Sequence, residues 1–418
     1  MTWRFLHSAD LHLDAPLRSL AMVDPDLRVR VATASRDALC RMVDICIDRR
    51  LDGLLLAGDV FDRAEQSLNA VAFFAAQMAR LHEVGIPAFM IRGNHDHENR
   101  ASRKIQMPPN VHLFGSAGGS VTLDGKGAPM AIHGISYEGI DAAGSLLGRY
   151  PLPTPGAANI GLLHTSLAGS AAHDSYAPCA PADLAAMDYT YWALGHIHVR
   201  SVYREGEVVI VMPGSPQGRH INEPGGRSAT LLTVENDRVT KLDEIPTASV
   251  VFDRVTVEID EERGEELDRR CRRVLEAHAH RVLAPGQALV ARVEATGSPA
   301  ALGALRRHAV LWSERAAQAV SDLDGVWIEQ LSFAPGEATR PEAGPVAEIA
   351  ALMRQLRYEP AVRHALDDIL QGALDHLPPA EQRAIASLAE DQAALLETLT
   401  NEAIEDMVAA LSGEGAEA

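Results

Sequence analysis

Histidine, aspartate and asparagine side chains follow directly after apolar segments at five places in the first half of the chain. These places read SADLHLD, LLLAGDVFD, IRGNHD, LLHTS and LGHIH. The candidate metal ligands among them are Asp10, His12, Asp59, Asn94, His164, His196 and His198. A mixture of imidazole and carboxylate oxygen without thiolate is typical of Mn, Fe or Zn sites rather than of Ca or Mg sites.

Seven ligands exceed what one ion needs, and they suit two ions about 3.5–4 Å apart that share a bridging carboxylate. We expect the pairs Asp10-x-His12 and His196-x-His198 to lie on extended segments, where both members point to one side and can reach one region. Any one of these residues alone is more often structural, and GDVFD or GHIH alone could be an ordinary turn. The ordered combination of all five segments predicts a two-metal centre.

Parallel strands are the elements that must position these residues, because sites in open α/β folds form at the carboxyl ends of strands. Residues 1–245 alternate short apolar strands with helical segments, which predicts an α/β catalytic domain. Its first two helices are predicted over Ser35–Arg49 and Asn69–Leu81.

Two further regions follow the predicted catalytic domain. Residues 250–334 predict a small α/β domain of βαβαβ order, with a single helix over Ala300–Val320. Residues 346–418 predict an acidic helical tail, with a last helix over Glu381–Leu411.

The net charge of −19 argues against simple nucleic-acid binding. The charge is concentrated at the end of the chain, where residues 341–418 hold 15 acidic residues against four arginines. The four cysteines form no CxxC pair, which favours reduced thiols. No apolar run reaches the roughly 18 residues of a membrane helix, and the N-terminus turns polar too early for a signal peptide. We therefore expect a cytoplasmic protein without a membrane partner.

The five segments resemble those of the calcineurin-like metallophosphoesterase superfamily. Their order and wording are most similar to the nuclease subunits of SbcD type, especially the shorter bacterial YhaO-like DNA repair exonucleases. The resemblance is strong over residues 1–235 and weaker beyond them. It implies a layered β-sandwich flanked by helices, with a small α/β capping domain and a C-terminal helical tail.

The resemblance also implies a role for each candidate residue. One ion would be bound by Asp10, His12 and His198, and the other by Asn94, His164 and His196. Asp59 would bridge the two ions, and His95 within GNHD would be the catalytic proton donor or charge-stabilising histidine. Asp62 stands where some related nucleases have a histidine that aids exonuclease action. The two divalent ions would be Mn²⁺, with Fe or Zn as alternatives.

A weaker candidate lies in PGSPQGRHIN, where Arg219 and His220 could contact phosphate or could belong to a surface turn. We weigh these two interpretations equally.

These expectations lead to three functional hypotheses. The first is a DNA exonuclease or endonuclease in DNA repair, in which two cations lower the pKa of a water from about 15.7 towards 7 and the hydroxide attacks phosphorus. The second is a phosphoesterase of a nucleotide or another small phosphate ester, which the acidic composition favours. The third is a non-catalytic scaffold, which the intact set of ligand positions disfavours.

The resemblance implies partners as well. In SbcD-like nucleases a C-terminal helical segment binds an SMC-like ATPase of SbcC/YhaN type, and such nucleases are usually homodimers. An ATPase partner could supply the basic DNA surface that this chain lacks. Alternatively, the tail is simply a solvated helical bundle.

Overall fold

A computed structural model describes most of the chain in separate ranges. These are residues 2–15, 24–62, 67–98, 106–137, 145–167, 178–259, 267–297, 299–306, 308–334, 344–375 and ten residues between Leu396 and Leu411. The chain forms two compact units, the first made of residues 1–253 with 279–290 and the second of residues 254–278 with 291–418. The three-domain division expected from the sequence remains a prediction.

Two six-stranded sheets form the first unit. Its strands are β1 (Thr2–Ser8), β2 (Gly53–Ala57), β3 (Ala88–Ile91), β4 (Val111–Leu113), β5 (Gly119–Leu123), β6 (Met130–Gly134), β7 (Ala158–His164), β8 (Tyr191–Gly195), β9 (Ser201–Glu205), β10 (Val208–Met212), β11 (Ser228–Glu235) and β12 (Arg238–Pro246). The strand orders are β12-β11-β1-β2-β3-β4 and β5-β6-β7-β8-β10-β9. The central strands β1 to β4 run parallel, as do β6, β7, β8 and β10.

Side-chain alternation along the strands builds two faces on each sheet. In β2, Leu55 packs in the core between the sheets, whereas Leu54 and Leu56 pack beneath the helices. In β8, Tyr191 faces the core between the sheets and Trp192 the opposite side. The layered sandwich with flanking helices that the resemblance implies is therefore confirmed.

Helices cover the outer face of the first sheet. The helices of this unit are α1 (Pro25–Asp48), α2 (Leu68–Glu83), α3 (Asn94–Glu98) and α4 (Pro181–Ala185). The predicted start of α1 at Ser35 is wrong by three turns. Asp24 caps the helix by accepting hydrogen bonds from the backbone N–H groups of Asp26 and Leu27, and Pro25 occupies the first turn, where it is tolerated.

A three-stranded sheet of β13 (Val250–Ile259), β14 (Ala288–Gly297) and β15 (Val326–Phe333) accounts for the predicted smaller α/β region. Its helices are α5 (Leu267–Val282), α6 (Pro299–Arg306) and α7 (Ala309–Val320). The single helix predicted over Ala300–Val320 is wrong. The structure has two helices there, and the backbone of His308 has non-helical angles (φ −125°, ψ 35°) where the second one begins.

The tail contains α8 (Pro345–Leu356) and α9 (Pro360–Asp375). Ala350 of α8 is buried with Ile404 and Val408 from the last part of the chain. Most of the helix predicted over Glu381–Leu411 lies outside the described residues. Among the described residues, no helix combines the length and the apolar character needed to span a membrane.

Candidate metal centre

The strand ends of the first unit are level with one another, and this brings the candidate ligands together. Ala57 at the end of β2 pairs with Ile91 at the end of β3, and His164 of β7 pairs with Gly195 of β8. The loops that leave β1 and β2 are joined by a hydrogen bond from the backbone N–H of Asp10 to the oxygen of Gly58 at 3.0 Å. Each ligand segment therefore leaves its sheet at the same edge.

A first cluster consists of Asp10, His12 and His198, whose candidate ligand atoms all lie within 4.8 Å of one another. The Asp10 and His12 side chains are buried, and the Asp10 carboxylate accepts a hydrogen bond from the His196 backbone N–H at 3.0 Å. The His12 and His198 rings are 5.1 Å apart between centroids. Burial lowers the pKa of His12, which favours the neutral imidazole that binds metal.

A second cluster consists of Asp59, His164 and His196, again with candidate ligand atoms within 4.8 Å. The Nδ1–H of His164 donates to the carbonyl of Ala57 at 2.9 Å, which directs its Nε2 towards the site. This Nε2 lies 3.0 Å from Asn94 Oδ1 and 3.3 Å from Asp59 Oδ2. The three residues that the resemblance assigns to the second ion, Asn94, His164 and His196, therefore lie together with Asp59.

Asp59 lies between the two clusters. Its Oδ2 is 3.3 Å from His164 Nε2 and 3.9 Å from His12 Nε2. Burial alone would raise the pKa of Asp59, but the neighbouring imidazoles of His164, His12 and His95 hold it well below its usual range. An ionised carboxylate in this position can contact both clusters, as a bridging ligand must.

His95 and Asp62 flank the clusters. The backbone N–H of His95 donates to Asp59 Oδ1 at 2.9 Å, and its ring is perpendicular to that of His12 at 4.7 Å between centroids. About a quarter of the His95 side chain is exposed, so a substrate can reach it. Asp62 Oδ2 lies 3.3 Å from Nδ1 of His12 and 3.8 Å from Nδ1 of His95.

The donor set fits divalent cations. The Nε2 of His12 is buried and makes no hydrogen bond among the described residues, which is costly unless a ligand occupies it. Burial lowers the pKa of His164, but Asp59 and Asp10 outweigh it and raise this pKa to about 9. The negative field that favours a proton there also favours a divalent cation.

Close approach of the backbone explains the glycine before His196. A Cβ built on Gly195 would lie 2.1 Å from the carbonyl oxygen of Ala57 and 2.9 Å from Nδ1 of His164. A side chain here would separate the strand ends that carry the two clusters.

Arg219 lies next to the first cluster. Its guanidinium Nη2 is 3.0 Å from Nδ1 of His198 and 3.1 Å from Oε1 of Glu223. His220 has a half-exposed side chain, and its Nδ1 accepts from the backbone N–H of Asn222 at 3.2 Å. The substrate contacts expected of Arg219 and His220 remain predictions.

Sequence reasoning missed two carboxylates. Asp96 accepts hydrogen bonds from the backbone N–H groups of Phe61 at 2.8 Å and Gly93 at 3.0 Å, which ties the loop after β2 to the loop after β3. Burial and the Asp59 carboxylate raise the pKa of Asp96 to about 7. Glu223 accepts from Nδ1–H of His198 at 2.7 Å. Burial would raise the pKa of Glu223, but His198 and Arg219 hold it well below its usual range.

Two segments of the chain match known protein families. Residues 4–200 match the calcineurin-like phosphoesterase family, which implies divalent metal binding, and residues 252–335 match the middle domain of the metallophosphoesterase YhaO. The metallophosphoesterase YhaO of Bacillus subtilis is 35% identical over 264 residues, which cover 62% of this chain and 64% of the relative.

Two proteins with nuclease or repair names are more distant. The DNA double-strand break repair protein Mre11 of Sulfurisphaera tokodaii is 28% identical, and its alignment covers 56% of this chain and 60% of the relative. An SbcCD nuclease subunit of Bacillus subtilis is 24% identical, with 55% and 66% covered. The chain thus spans less than two thirds of each of these three relatives. It carries a calcineurin-like metallophosphoesterase domain followed by a YhaO-like middle domain.

Proposed function

We propose that this chain is a two-metal phosphodiesterase that hydrolyses DNA and acts in DNA repair. The observation that carries the proposal is the meeting of two ligand clusters at Asp59, with the partly exposed His95 beside them. Asp10, His12 and His198 would hold one ion, and Asn94, His164 and His196 the other. We favour Mn²⁺ over Fe or Zn.

The side chains of the site have separate roles in this proposal. Two divalent cations, when bound, supply charge neutralisation at the phosphate and Lewis-acid activation of water. Asp59 keeps the two clusters next to each other through its contacts with His12 and His164. His95 donates a proton to the leaving oxygen, and its backbone bond to Asp59 fixes its position.

The choice of DNA rests on the relatives and on the motifs. The names of two relatives describe a DNA repair protein and a nuclease component. The net charge of −19 opposes DNA binding by this chain alone. A partner with a basic surface would remove that objection, and we propose an SMC-like ATPase bound through the C-terminal helices. Homodimerisation and a cytoplasmic location remain predictions.

A nuclease assay with labelled DNA and Mn²⁺ tests the proposal on the full chain. We expect His95→Ala to retain both ions but to lose about 10²–10⁴-fold in kcat, because a general acid typically contributes that much. Asp59→Ala should lose both cleavage and bound metal. His82→Ala, on an exposed position of α2, serves as the control and should cleave like the wild type. Equal cleavage by the wild type, His95→Ala and Asp59→Ala would contradict the proposal.

The acidic composition favours a second candidate, a phosphoesterase of small phosphate esters. The two candidates share the metal centre and differ only in the substrate. Comparison of kcat/KM for single-stranded DNA, a cyclic nucleotide and an aryl phosphate separates them. A preference for either small ester of about 100-fold or more, roughly 2.7 kcal/mol in transition-state binding, would select the second candidate.

A further inference from the structure

The carboxylate of Glu223 lies behind the first cluster, buried and in contact with two charged or polar partners. Its Oε1 is 2.7 Å from Nδ1 of His198 and 3.1 Å from Nη2 of Arg219. Its Oε2 accepts from the backbone N–H of Arg219 at 2.9 Å. Only 8% of the Glu223 side chain is exposed. An isolated buried carboxylate is costly, so these partners stabilise Glu223 in its buried position.

The hydrogen bonds define the state of the His198 ring. An arginine can only donate, so Nδ1 of His198 cannot serve as donor to Glu223 and acceptor from Arg219 at the same time. The shorter contact to a charged acceptor selects Nδ1–H donating to Glu223. This tautomer leaves Nε2 of His198 as the nitrogen available to a metal ion.

The loop that carries Glu223 is held firmly. The backbone N–H of Glu223 donates to His220 at 2.9 Å, and that of Gly225 donates to Phe252 at 2.8 Å. The His198 backbone is held as well, because Nη1 of Arg227 donates to its carbonyl at 2.6 Å. Backbone hydrogen bonds therefore hold both Glu223 and His198 in place.

We infer that Glu223 is a positioning residue that serves both metal binding and substrate contact. It fixes His198 with Nε2 available to the first ion, and it holds the Arg219 guanidinium beside that ion, where a phosphate oxygen can accept from it. The inference rests on the proposed metal centre and adds a residue to it. Removal of the carboxylate should weaken the binding of one ion selectively. Loss of a purely structural residue would weaken the binding of both ions alike.

Calorimetric titration of the metal-free full chain with Mn²⁺ tests this inference. We expect Glu223→Ala to raise the Kd of one of the two ions by about 10–100-fold, the usual effect of losing a hydrogen-bond partner of a metal ligand. The Kd of the other ion should change by less than about threefold. Glu223→Gln retains an acceptor oxygen without the charge, so a smaller loss of about 3–10-fold is expected. Arg219→Ala should leave the affinity for both ions unchanged but should raise the KM for DNA.

The control is Glu207→Gln, in an exposed pair with Arg238, which should bind both ions like the wild type. Circular dichroism verifies that each variant is folded. If Glu223→Ala does not fold, the Glu223→Gln variant decides the outcome. Wild-type affinity for both ions in Glu223→Gln, or equal weakening of both, would overturn the inference. A wild type that binds two ions without cleaving DNA would overturn the proposed nuclease alone. Fewer than two ions on the wild type would overturn the metal centre itself.

Discussion

Four of the candidate ligands have left-handed backbone angles, with φ of 54° at Asp10, 43° at His12, 50° at Asp59 and 100° at His196. Non-glycine residues rarely adopt such angles, which cost roughly 1–3 kcal/mol each. The backbone N–H of His12 donates to the carbonyl of Asp59 at 3.1 Å, so the two loops hold each other in this conformation. Four of the nine described non-glycine residues with positive φ therefore belong to the clusters, and the segment from Asp10 to His12 is not extended, although the sequence predicted that it would be.

Gly93 provides a test at the residue scale, because its backbone packs against the bridging carboxylate. A Cβ at Gly93 would lie 2.2 Å from Oδ1 and 2.8 Å from the backbone nitrogen of Asp59. We expect Gly93→Ala to displace Asp59, to reduce the bound metal to fewer than two ions, and to lower kcat by about 100-fold or more, since small misplacements have effects of that size. Metal content and turnover measured on the same sample check this.

The matched control for Gly93→Ala is Gly115→Ala. A Cβ at Gly115 would meet nothing within 4 Å, so this variant should keep both ions and full turnover. Two bound ions and normal turnover in Gly93→Ala would show that Asp59 tolerates displacement.

The ligand residues were predictable because each follows an apolar strand within a short motif. Asp96 belongs to the GNHD segment, so the same motif could have identified it. Glu223 could not be found in this way. It lies 25 positions after His198, and no spacing rule relates the end of β8 to the loop after β10. Only the closure of that loop brings the carboxylate to the imidazole.

At the scale of elements, a buried histidine joins the two sheets. Nε2–H of His7 in β1 donates to the carbonyl of Leu194 in β8 at 3.1 Å, and Nδ1 lies 2.8 Å from the Tyr191 hydroxyl, which can donate to it. These two contacts satisfy a neutral imidazole. Burial, and to a smaller extent the charge of Arg200, lowers the pKa of His7 to about 3.

This lowered pKa predicts a pH dependence of stability. Below about pH 6.5 the unfolded chain protonates His7 and the folded chain does not, so stability falls as the pH decreases from 6.5 towards 3. One proton corresponds to about 1.4 kcal/mol per pH unit. We expect the free energy of unfolding of His7→Gln, measured in urea, to depend less steeply on pH than that of the wild type. The difference between about pH 6 and pH 4 should correspond to about one proton.

The exposed His82→Gln variant should retain the wild-type slope. If His7→Gln shows the same slope as the wild type, then His7 is protonated in the folded protein and the contacts between the sheets have a different origin.

Elements were predictable where periodicity was strong and uncertain where it was not. The strand β7 (Ala158–His164) ends at the candidate ligand, as the apolar residues before the histidine in LLHTS indicate. The start of α1 was missed although Leu27, Val31 and Ala34 continue its buried stripe, because the helix-start signal of Asp24 and Pro25 was not used. The break between α6 and α7 was missed because apolar residues continue through it, with Leu302 and Leu305 before and Trp312 after. Neither the start of α1 nor the break between α6 and α7 changes the spacing of the apolar residues, and the helices were predicted from that spacing alone.

At the scale of the whole molecule, the α/β class followed from the sequence pattern and the layered sandwich from the family resemblance, whereas the strand order was not predicted. Apolar strands indicate layers, but no pattern states which strands are neighbours. The edge strand β9 is mostly exposed and carries little apolar signal. The relation between the acidic tail and a partner is likewise not determined by the apolar stripes of α8 and α9.

Metal binding should be visible as stability of the entire chain. A ligand that binds only the folded state at about 100 times its Kd adds about 2.7 kcal/mol per site. We expect Mn²⁺ to raise the thermal unfolding midpoint of the wild type and EDTA to reverse the shift. Asp59→Ala should show little of this shift. An equal shift in both proteins would place the bound Mn²⁺ elsewhere.

The central claim is that two cations share Asp59 between the His12 and His164 clusters. Anomalous diffraction from a crystal of the full chain grown with Mn²⁺ tests it most directly. We predict two peaks about 3.5–4 Å apart, with the Asp59 carboxylate between them. A single peak, or peaks that do not contact Asp59, would contradict the account.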